Sequence, residues 1–226
     1  MKNIRNILPG IALDISGVLK AGKVPIEGAR EVLNLLTTPL CKLNSLRFGK
    51  MNFHLPFVLL SNGGGVLEED KAEELNELFK LDKDHKLTKQ QIILSNTPFK
   101  EMVNLYSTKN ILLSGSGNIS KIAESYGFRD SLTLEEYSCL FPQLCLLAIK
   151  GRGFQKANIL KERVLKKWNI NKDPEIFPQI KAIFLLSTPT IWEENIQLIS
   201  DFLISKDGIP GSIRTKNESQ FVKLYT

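Results

Sequence analysis

The sequence predicts an α/β fold made of two pieces, each with its own parallel strands. Two short apolar runs, 7–13 and 56–60, lack polar alternation, which is typical of strands buried on both faces of a parallel sheet. The second run is followed by a helical pattern at 68–80, as expected where strands and helices alternate. Strand, turn and helix begin again in the second half of the chain. We therefore expect one domain over 1–106 and another over 107–226.

The first domain contains three strand–helix repeats. Its first helix is predicted from apolar residues at helical spacing, Val32, Leu33 and Leu36 among them. The mixed polarity of 38–54 predicts a long loop before the second repeat. In order, the predicted elements are a strand at 7–13, a helix at 27–36, a strand at 56–60, a helix at 68–80, a strand at 92–94 and a short helix at 95–106.

The second domain repeats this alternation. Its first turn carries Gly115 and Gly117, a spacing that also occurs in dinucleotide-binding loops. The third glycine and a suitably placed acidic residue are missing, so a tight turn is the favoured interpretation. In order, the predicted elements are a strand at 111–113, a turn at 114–118, a helix at 119–126, a strand at 144–149, a helix at 155–168, a strand at 182–186, a helix at 191–204 and a strand at 221–225.

The composition argues against several classes of protein. The 226 residues are 42% apolar, enough for a buried core. They contain no apolar run of about 18 residues, so no membrane span is expected. The 30 basic residues are scattered among 24 acidic ones, so the net charge of +6 does not predict nucleic-acid binding. Three Cys without CxxC spacing and two His argue against a zinc site or a disulfide framework.

Polar residues follow both apolar runs at the point where each strand ends. Asp14 follows the first run, and Ser61 and Asn62 follow the second, before three glycines at 63–65. Ligands of parallel sheets bind beyond the carboxyl ends of the strands. A glycine-rich turn that leads into a helix offers backbone N–H groups and the helix dipole to an anion. We therefore expect an anion site here, although Asp14 alone is equally consistent with a carboxylate that caps a turn.

Together these stretches resemble the first two motifs of the haloacid dehalogenase superfamily. The resemblance extends to one branch of its class IIA, the group of the cat eye syndrome critical region protein, and covers about 11–142 and 178–226. It implies a Rossmann-like parallel-sheet core with an inserted α/β cap domain, both incomplete in these 226 residues. The matching stretches are 14–19 (DISGVL), 59–65 (LLSNGGG), 93–98 (ILSNTP), 113–117 (LSGSG), 126–128 (YGF) and 191–193 (IWE).

The resemblance implies a Mg²⁺-dependent hydrolase that acts on a small phosphorylated substrate. Asp14 matches the nucleophile that forms an aspartyl-phosphate, and Ser61 matches the hydroxyl that meets the transferring phosphoryl group. Asp14 and the main-chain carbonyl of Ser16 match ligands of Mg²⁺, a hard ion that prefers oxygen. The residues that match the phosphate pocket are Asn62, Gly63 and Gly64.

Two departures from the family bear on activity. The family has a second Asp in its first motif, a general acid and base worth about 10²–10⁴ in rate, and here that position is Ser16. No stretch of the sequence matches the family's motif III lysine or its acidic motif IV, so strand one is expected at an exposed sheet edge. Turnover is therefore expected to be weak or absent.

A non-catalytic binding or interaction protein that retains the fold is the alternative. The resemblance also implies a mitochondrial location, although the N-terminus has no clear transit peptide; the alternative is a cytoplasmic location. The sequence names neither the substrate nor an oligomeric state.

Overall fold

A computed structural model describes residues 10–42, 54–145, 154–167 and 179–226 of the chain. The chain divides into two compact units, Met1–Thr97 and Pro98–Thr226. The sequence predicts a boundary after residue 106, whereas the structure groups 98–106 with the second unit. The reason is that Phe99 and Tyr106 pack against Phe184, with ring centroids 5.0 and 5.4 Å away.

The first unit is organised around a three-stranded sheet in which the strand Phe57–Ser61 lies between Ile11–Asp14 and Ile92–Leu94 and is parallel to both. The parallel arrangement predicted from the apolar runs is therefore confirmed. Residues 7–9 of the first predicted strand lie outside the described residues. The described elements are β1 (Ile11–Asp14), β2 (Lys20–Ala21), β3 (Val24–Pro25), α1 (Ala29–Thr37), β4 (Phe57–Ser61), α2 (Glu68–Leu78) and β5 (Ile92–Leu94), with 3₁₀ segments at Leu40–Lys42, Lys83–His85 and Lys89–Gln91.

One face of this sheet lies in the core of the unit. Leu59, Ile92 and Leu94 are buried there with Leu33 of α1 and Leu75 of α2. The other face is open in the described part of the chain, where Leu60 is 37% and Ile93 36% exposed. The prediction of strands buried on both faces is therefore wrong for this sheet. Within the described residues, β1 pairs only with β4 and forms an edge.

A small hairpin, β2–β3, follows the first strand and is absent from the elements predicted from the sequence. Its two-residue loop begins at Gly22, whose φ is 61°, a position that favours glycine in hairpin turns. Lys20 of the hairpin forms an ion pair with Glu74 of α2 at 2.6 Å, and Lys71 contacts the same carboxylate at 2.7 Å. Partial burial works to raise the pKa of Glu74, but the hydrogen bonds from Lys20 and Lys71 outweigh it and hold this pKa below its ordinary value. The Lys20–Glu74 ion pair therefore links the hairpin to α2.

The second unit contains a four-stranded, fully parallel sheet of order β7-β6-β8-β9. The sequence predicts most of its elements but misses the strand Ser131–Thr133 and the helix Leu134–Leu140. The predicted strand at 144–149 is wrong at Leu144, which ends a 3₁₀ segment, and lies outside the described residues from 146 onward. The described elements are α3 (Val103–Tyr106), β6 (Ile111–Ser114), α4 (Ile119–Tyr126), β7 (Ser131–Thr133), α5 (Leu134–Leu140), α6 (Phe154–Lys167), β8 (Ala182–Leu185), α7 (Trp192–Ile204) and β9 (Lys223–Tyr225), with 3₁₀ segments at Thr97–Met102 and Pro142–Leu144.

The central strands of this second sheet are buried on both faces, as the sequence predicts. All four residues of β6 are buried. On one face, Phe184 contacts four aromatic rings at centroid distances of 5.0 to 5.4 Å. On the other, Leu112 and Ile183 belong to a cluster that includes Phe202 of α7. Among the described helices, none has both the length and the apolar composition that a membrane crossing needs.

Candidate functional site

Asp14 and Ser61 end two neighbouring parallel strands of the first unit. The register places Asp14 opposite Leu60, the residue before Ser61. Neighbouring strands lie about 4.8 Å apart and rise about 3.3 Å per residue, so the Cα atoms of Asp14 and Ser61 are expected about 6 Å apart. Asp14 is exposed and Ser61 half-buried. The two strand ends therefore share one edge of the sheet, whereas the convergence of their side chains stays a prediction.

The chain reverses sharply after Asp14. Gly17 has a φ of 89°, a left-handed conformation that glycine adopts without steric cost. The turn is closed by backbone bonds from Leu19 and Lys20 to the carbonyl of Ile15, both at 3.1 Å, and from Gly17 to the carbonyl of Lys20 at 2.8 Å. Ser16 is exposed at the tip of this turn, directly beyond the strand. A side chain at position 16 therefore faces solvent at the same sheet edge as Asp14.

Ser61 organises the start of the glycine-rich loop, which we define as residues 62–67. Its Oγ accepts a hydrogen bond from the backbone N–H of Gly63 at 3.1 Å. A hydroxyl that accepts one bond still has its own proton to donate, so Ser61 can donate toward a ligand oxygen. The Gly63 N–H, by contrast, points at Ser61. Asn62 is exposed and Gly64 is half-buried.

The N-terminus of α2 carries negative side chains close to the predicted anion site. Its first turn carries three carboxylates, Glu68, Glu69 and Asp70. Acidic side chains in the first turn interact favourably with the positive end of the helix dipole, and they repel a phosphate that approaches the same end. The dipole of α2 is therefore already met by these carboxylates, and the donor groups available at this edge are the loop's backbone N–H groups and the Ser61 hydroxyl.

Polar side chains after β5 form a network within the stretch 93–98, which carries part of the family resemblance but has no predicted role. Thr97 Oγ1 accepts a hydrogen bond from the backbone N–H of Leu94 and donates one to Glu68 Oε1, both at 2.8 Å. The amide nitrogen of Asn96 donates to the carbonyl of Val66 at 3.3 Å. Asn96 is fully buried and Glu68 only 3% exposed. A signal was present in the sequence, since these residues follow a third strand of the same sheet.

The residues at this edge match Mg²⁺ in donor type. Asp14 offers a carboxylate and Ser16 a main-chain carbonyl, both hard oxygen donors. Mg²⁺ usually binds proteins through one or two carboxylates and keeps several waters or phosphate oxygens. No group of three His, Cys, Asp or Glu side chains suited to a metal occurs in the part of the chain that the structure describes. The donor set therefore fits an ion held mainly by water and phosphate.

The glycine turn of the second unit has a packing role. Gly115 has a φ of 143°, and a Cβ there would lie 2.8 and 2.9 Å from the backbone N and O of Ser187. The Ser187 hydroxyl accepts a bond from the N–H of Ser116 and donates one to its carbonyl, both at 2.8 Å. Glycine is thus required by the close approach of two loops, which favours the tight-turn interpretation over a dinucleotide site.

We expect Gly115→Ala to destabilise the second unit by roughly 2 kcal/mol more than Gly211→Ala. Both residues have a positive φ, but Gly211 has no atom within 4 Å of an added Cβ, so the difference isolates overpacking, which costs about 1–3 kcal/mol. Urea unfolding followed by circular dichroism measures both variants. Equal losses of stability would show that the contact with Ser187 is unimportant.

Comparison with known proteins defines the class. A family model described as haloacid dehalogenase-like hydrolase matches residues 11–129, more than half of the chain. The chain therefore belongs to the haloacid dehalogenase-like hydrolase family, and the class IIA resemblance carried by its motifs is confirmed.

Two curated relatives are hydrolases of yeasts. The chain is 29% identical to a mitochondrial hydrolase of Saccharomyces cerevisiae over 92% of its own length and 51% of that protein. It is 27% identical to a cardiolipin synthase (CMP-forming)/mitochondrial hydrolase fusion protein of Schizosaccharomyces pombe, over 77% of its own length and 27% of that protein. The chain thus spans about half the length of the first relative.

The solved structures found by comparison share little sequence with the chain. Glycerol phosphate phosphatase from Mycobacterium tuberculosis, in complex with magnesium, is 12% identical with a TM-score of 0.43, over 84% of this chain and 39% of that one. NagD from Escherichia coli K-12 is 14% identical with a TM-score of 0.37, over 96% of each chain.

Proposed function

We propose that this chain binds a small phosphorylated molecule at the carboxyl end of its first sheet, with Asp14 as the phosphoryl acceptor. The observation that carries the proposal is the parallel register of β1 and β4, which sets Asp14 beside the end of the strand that carries Ser61. Membership of a hydrolase family supports the reaction class.

The roles follow from the chemistry of the side chains. An oxygen of Asp14 attacks phosphorus, the bond from phosphorus to the leaving oxygen breaks, and an aspartyl-phosphate forms. Ser61 donates a hydrogen bond from its hydroxyl to a phosphoryl oxygen, and Asn62 and Gly64 lie beside that oxygen. Water then attacks phosphorus, which releases inorganic phosphate and restores the carboxylate. Asp14 and the Ser16 carbonyl would hold Mg²⁺, which supplies charge neutralisation for the phosphoryl oxygens when bound.

Ser16 limits the rate of these two reaction steps. The leaving oxygen needs a proton, and the attacking water must lose one. A serine hydroxyl does neither well near neutral pH, because effective acid–base groups have a pKa close to the working pH. We therefore expect slow turnover. The same substitution favours a second candidate, a protein that binds phosphorylated molecules without hydrolysing them.

The proposal is tested with fluoroberyllate, which forms an aspartyl-phosphate analogue on a reactive carboxylate. With Mg²⁺ present, we expect a protein-bound ¹⁹F NMR signal that disappears in Asp14→Asn. Ser61→Ala should weaken binding about 10- to 100-fold, the effect of one hydrogen bond to a charged group, about 1.5–3 kcal/mol. Asp84→Asn, an exposed change in the 3₁₀ segment Lys83–His85, should bind normally. A bound signal that persists in Asp14→Asn would overturn the proposal.

The two candidates are separated by turnover. Asp14-dependent phosphate release supports the hydrolase, whereas Asp14-dependent binding with no release supports the binding protein.

We also propose a mitochondrial location, supported by the names of the two yeast relatives. Microscopy of the tagged protein in cells tests it, and a signal outside mitochondria would contradict it.

A further inference from the structure

The glycine-rich loop needs external support to act as an anion receptor. Glycine has more conformational freedom in the unfolded chain than any other residue, and three glycines stand in succession at 63–65. Backbone donors stabilise a developing charge strongly only when they are held in place beforehand. A role as an anion receptor therefore requires contacts that hold this loop in one conformation.

Side chains tie the loop at both ends. At its start, the Ser61 hydroxyl accepts the bond from the Gly63 N–H. At its end, Asn96 donates to the carbonyl of Val66 at 3.3 Å, from a position 30 residues further along the chain. Asn96 is fully buried, whereas Val66 is 38% exposed, so the loss of Asn96 would remove this tie between the loop and the interior of the unit.

Thr97 holds this second tie in position. Its hydroxyl accepts from the Leu94 backbone, which fixes the turn that contains Asn96, and donates to the buried carboxylate of Glu68. Glu68 begins α2, directly after the loop. The end of β5 is therefore fastened both to the last part of the loop and to the helix that follows it.

On this basis, and resting on the proposed function, we propose that Asn96 and Thr97 are positioning residues for phosphoryl binding. Together with Glu68 they form a clamp that holds the glycine-rich loop in the one conformation that receives the phosphoryl group. Neither residue touches the ligand in this proposal. Each acts through the loop backbone.

The first unit contains a matched control. Asn76 of α2 also bridges to a loop backbone, donating to the carbonyl of Leu87 at 2.9 Å and accepting from its N–H at 2.8 Å. Leu87 precedes β5 by a few residues, so this bridge lies toward the amino end of the strand rather than at the proposed site. Asn76→Ala thus removes a comparable side-chain tie away from the glycine-rich loop.

The first measurement is hydrogen–deuterium exchange, which reports local opening without any ligand. Asn96→Ala should raise exchange at 63–67 at least tenfold, whereas Asn76→Ala should raise it near residue 87 only. Thr97→Val should act like Asn96→Ala, and Thr97→Ser, which keeps the hydroxyl, should behave as the unmodified chain. Unchanged exchange at 63–67 in both Asn96→Ala and Thr97→Val would overturn the inference.

The second measurement is fluoroberyllate affinity with Mg²⁺ in the same variants. We expect a loss of about tenfold or more for Asn96→Ala and Thr97→Val, since the binding donors are no longer held in place beforehand, and less than twofold for Asn76→Ala and Thr97→Ser. Equal losses in Asn96→Ala and Asn76→Ala would reduce the clamp to a general stability effect and overturn the inference. Failure of the unmodified chain to bind the probe would overturn the proposed function instead. The exchange measurement would still show whether Asn96 and Thr97 hold the loop.

Discussion

Replacing Ser16 with Asp is expected to raise kcat/KM for an alkyl phosphate by roughly 10²–10⁴, the usual contribution of a positioned acid or base. For p-nitrophenyl phosphate the gain in kcat/KM should stay within about tenfold. The reason is the leaving group. An alkoxide is a strong base that needs a proton as it departs, whereas nitrophenolate leaves without help.

The two kinetic constants separate the two steps. kcat/KM reports the reaction up to release of the leaving group, and so measures phosphorylation of Asp14. kcat for the aryl phosphate also includes hydrolysis of the aspartyl-phosphate, in which the new carboxylate activates water. Ser16→Asp should therefore raise kcat for the aryl phosphate more than kcat/KM. Steady-state phosphate release with Mg²⁺ measures both constants.

The controls isolate the position of the carboxylate. Asn62→Asp adds the same charge at the same sheet edge but not in the turn after β1, and it should give no gain. Asp14→Asn in the Ser16→Asp background should abolish release. Equal gains for alkyl and aryl phosphates would refute the assignment of position 16 as the missing acid–base site. An Asp14-independent rate would refute the nucleophile.

Replacing Phe184 with Ala is expected to destabilise the second unit by about 3–5 kcal/mol, the usual cost of Phe→Ala in a core. Phe184 is fully buried on the central strand β8 and packs against four aromatic rings, those of Phe99, Tyr106, Phe128 and Tyr225. The cavity left by the missing ring is expected to close poorly, because the four neighbouring rings belong to different elements and cannot all move into it.

Urea unfolding followed by circular dichroism measures this loss. Phe184→Leu should cost less than Phe184→Ala, because it removes less volume. Ile196→Ala is the surface control in the same unit, since Ile196 is 57% exposed, and changes at such positions usually stay within about 0.5 kcal/mol. A loss below about 1 kcal/mol for Phe184→Ala would show that the aromatic cluster is not the centre of this core.

The sequence by itself determined the longer strands of both sheets, the parallel arrangement of the first sheet and the edge that carries the candidate site. These features follow from local patterns, since an apolar run of strand length needs a sheet and a polar residue at its end lies beyond that sheet. Asp14 and Ser61 could be singled out in this way, because each directly follows such a run. Elements too short to show a period, such as the β2–β3 hairpin, were not found, although Gly22 carried a recognisable turn signal.

Only the tertiary structure decided how far each sheet is buried and which contacts each of the two glycine-containing turns makes. Burial depends on partners distant in the chain, so Leu60 and Ile93 share the apolar character of β6 yet lie on an open face in the described residues. Gly115 is explained by Ser187, more than seventy residues later. The glycine-rich loop is held by Asn96, which no local pattern connects to Val66. A hydrogen bond between residues far apart leaves no periodic trace in the sequence, because its geometry exists only after the strands between them have packed.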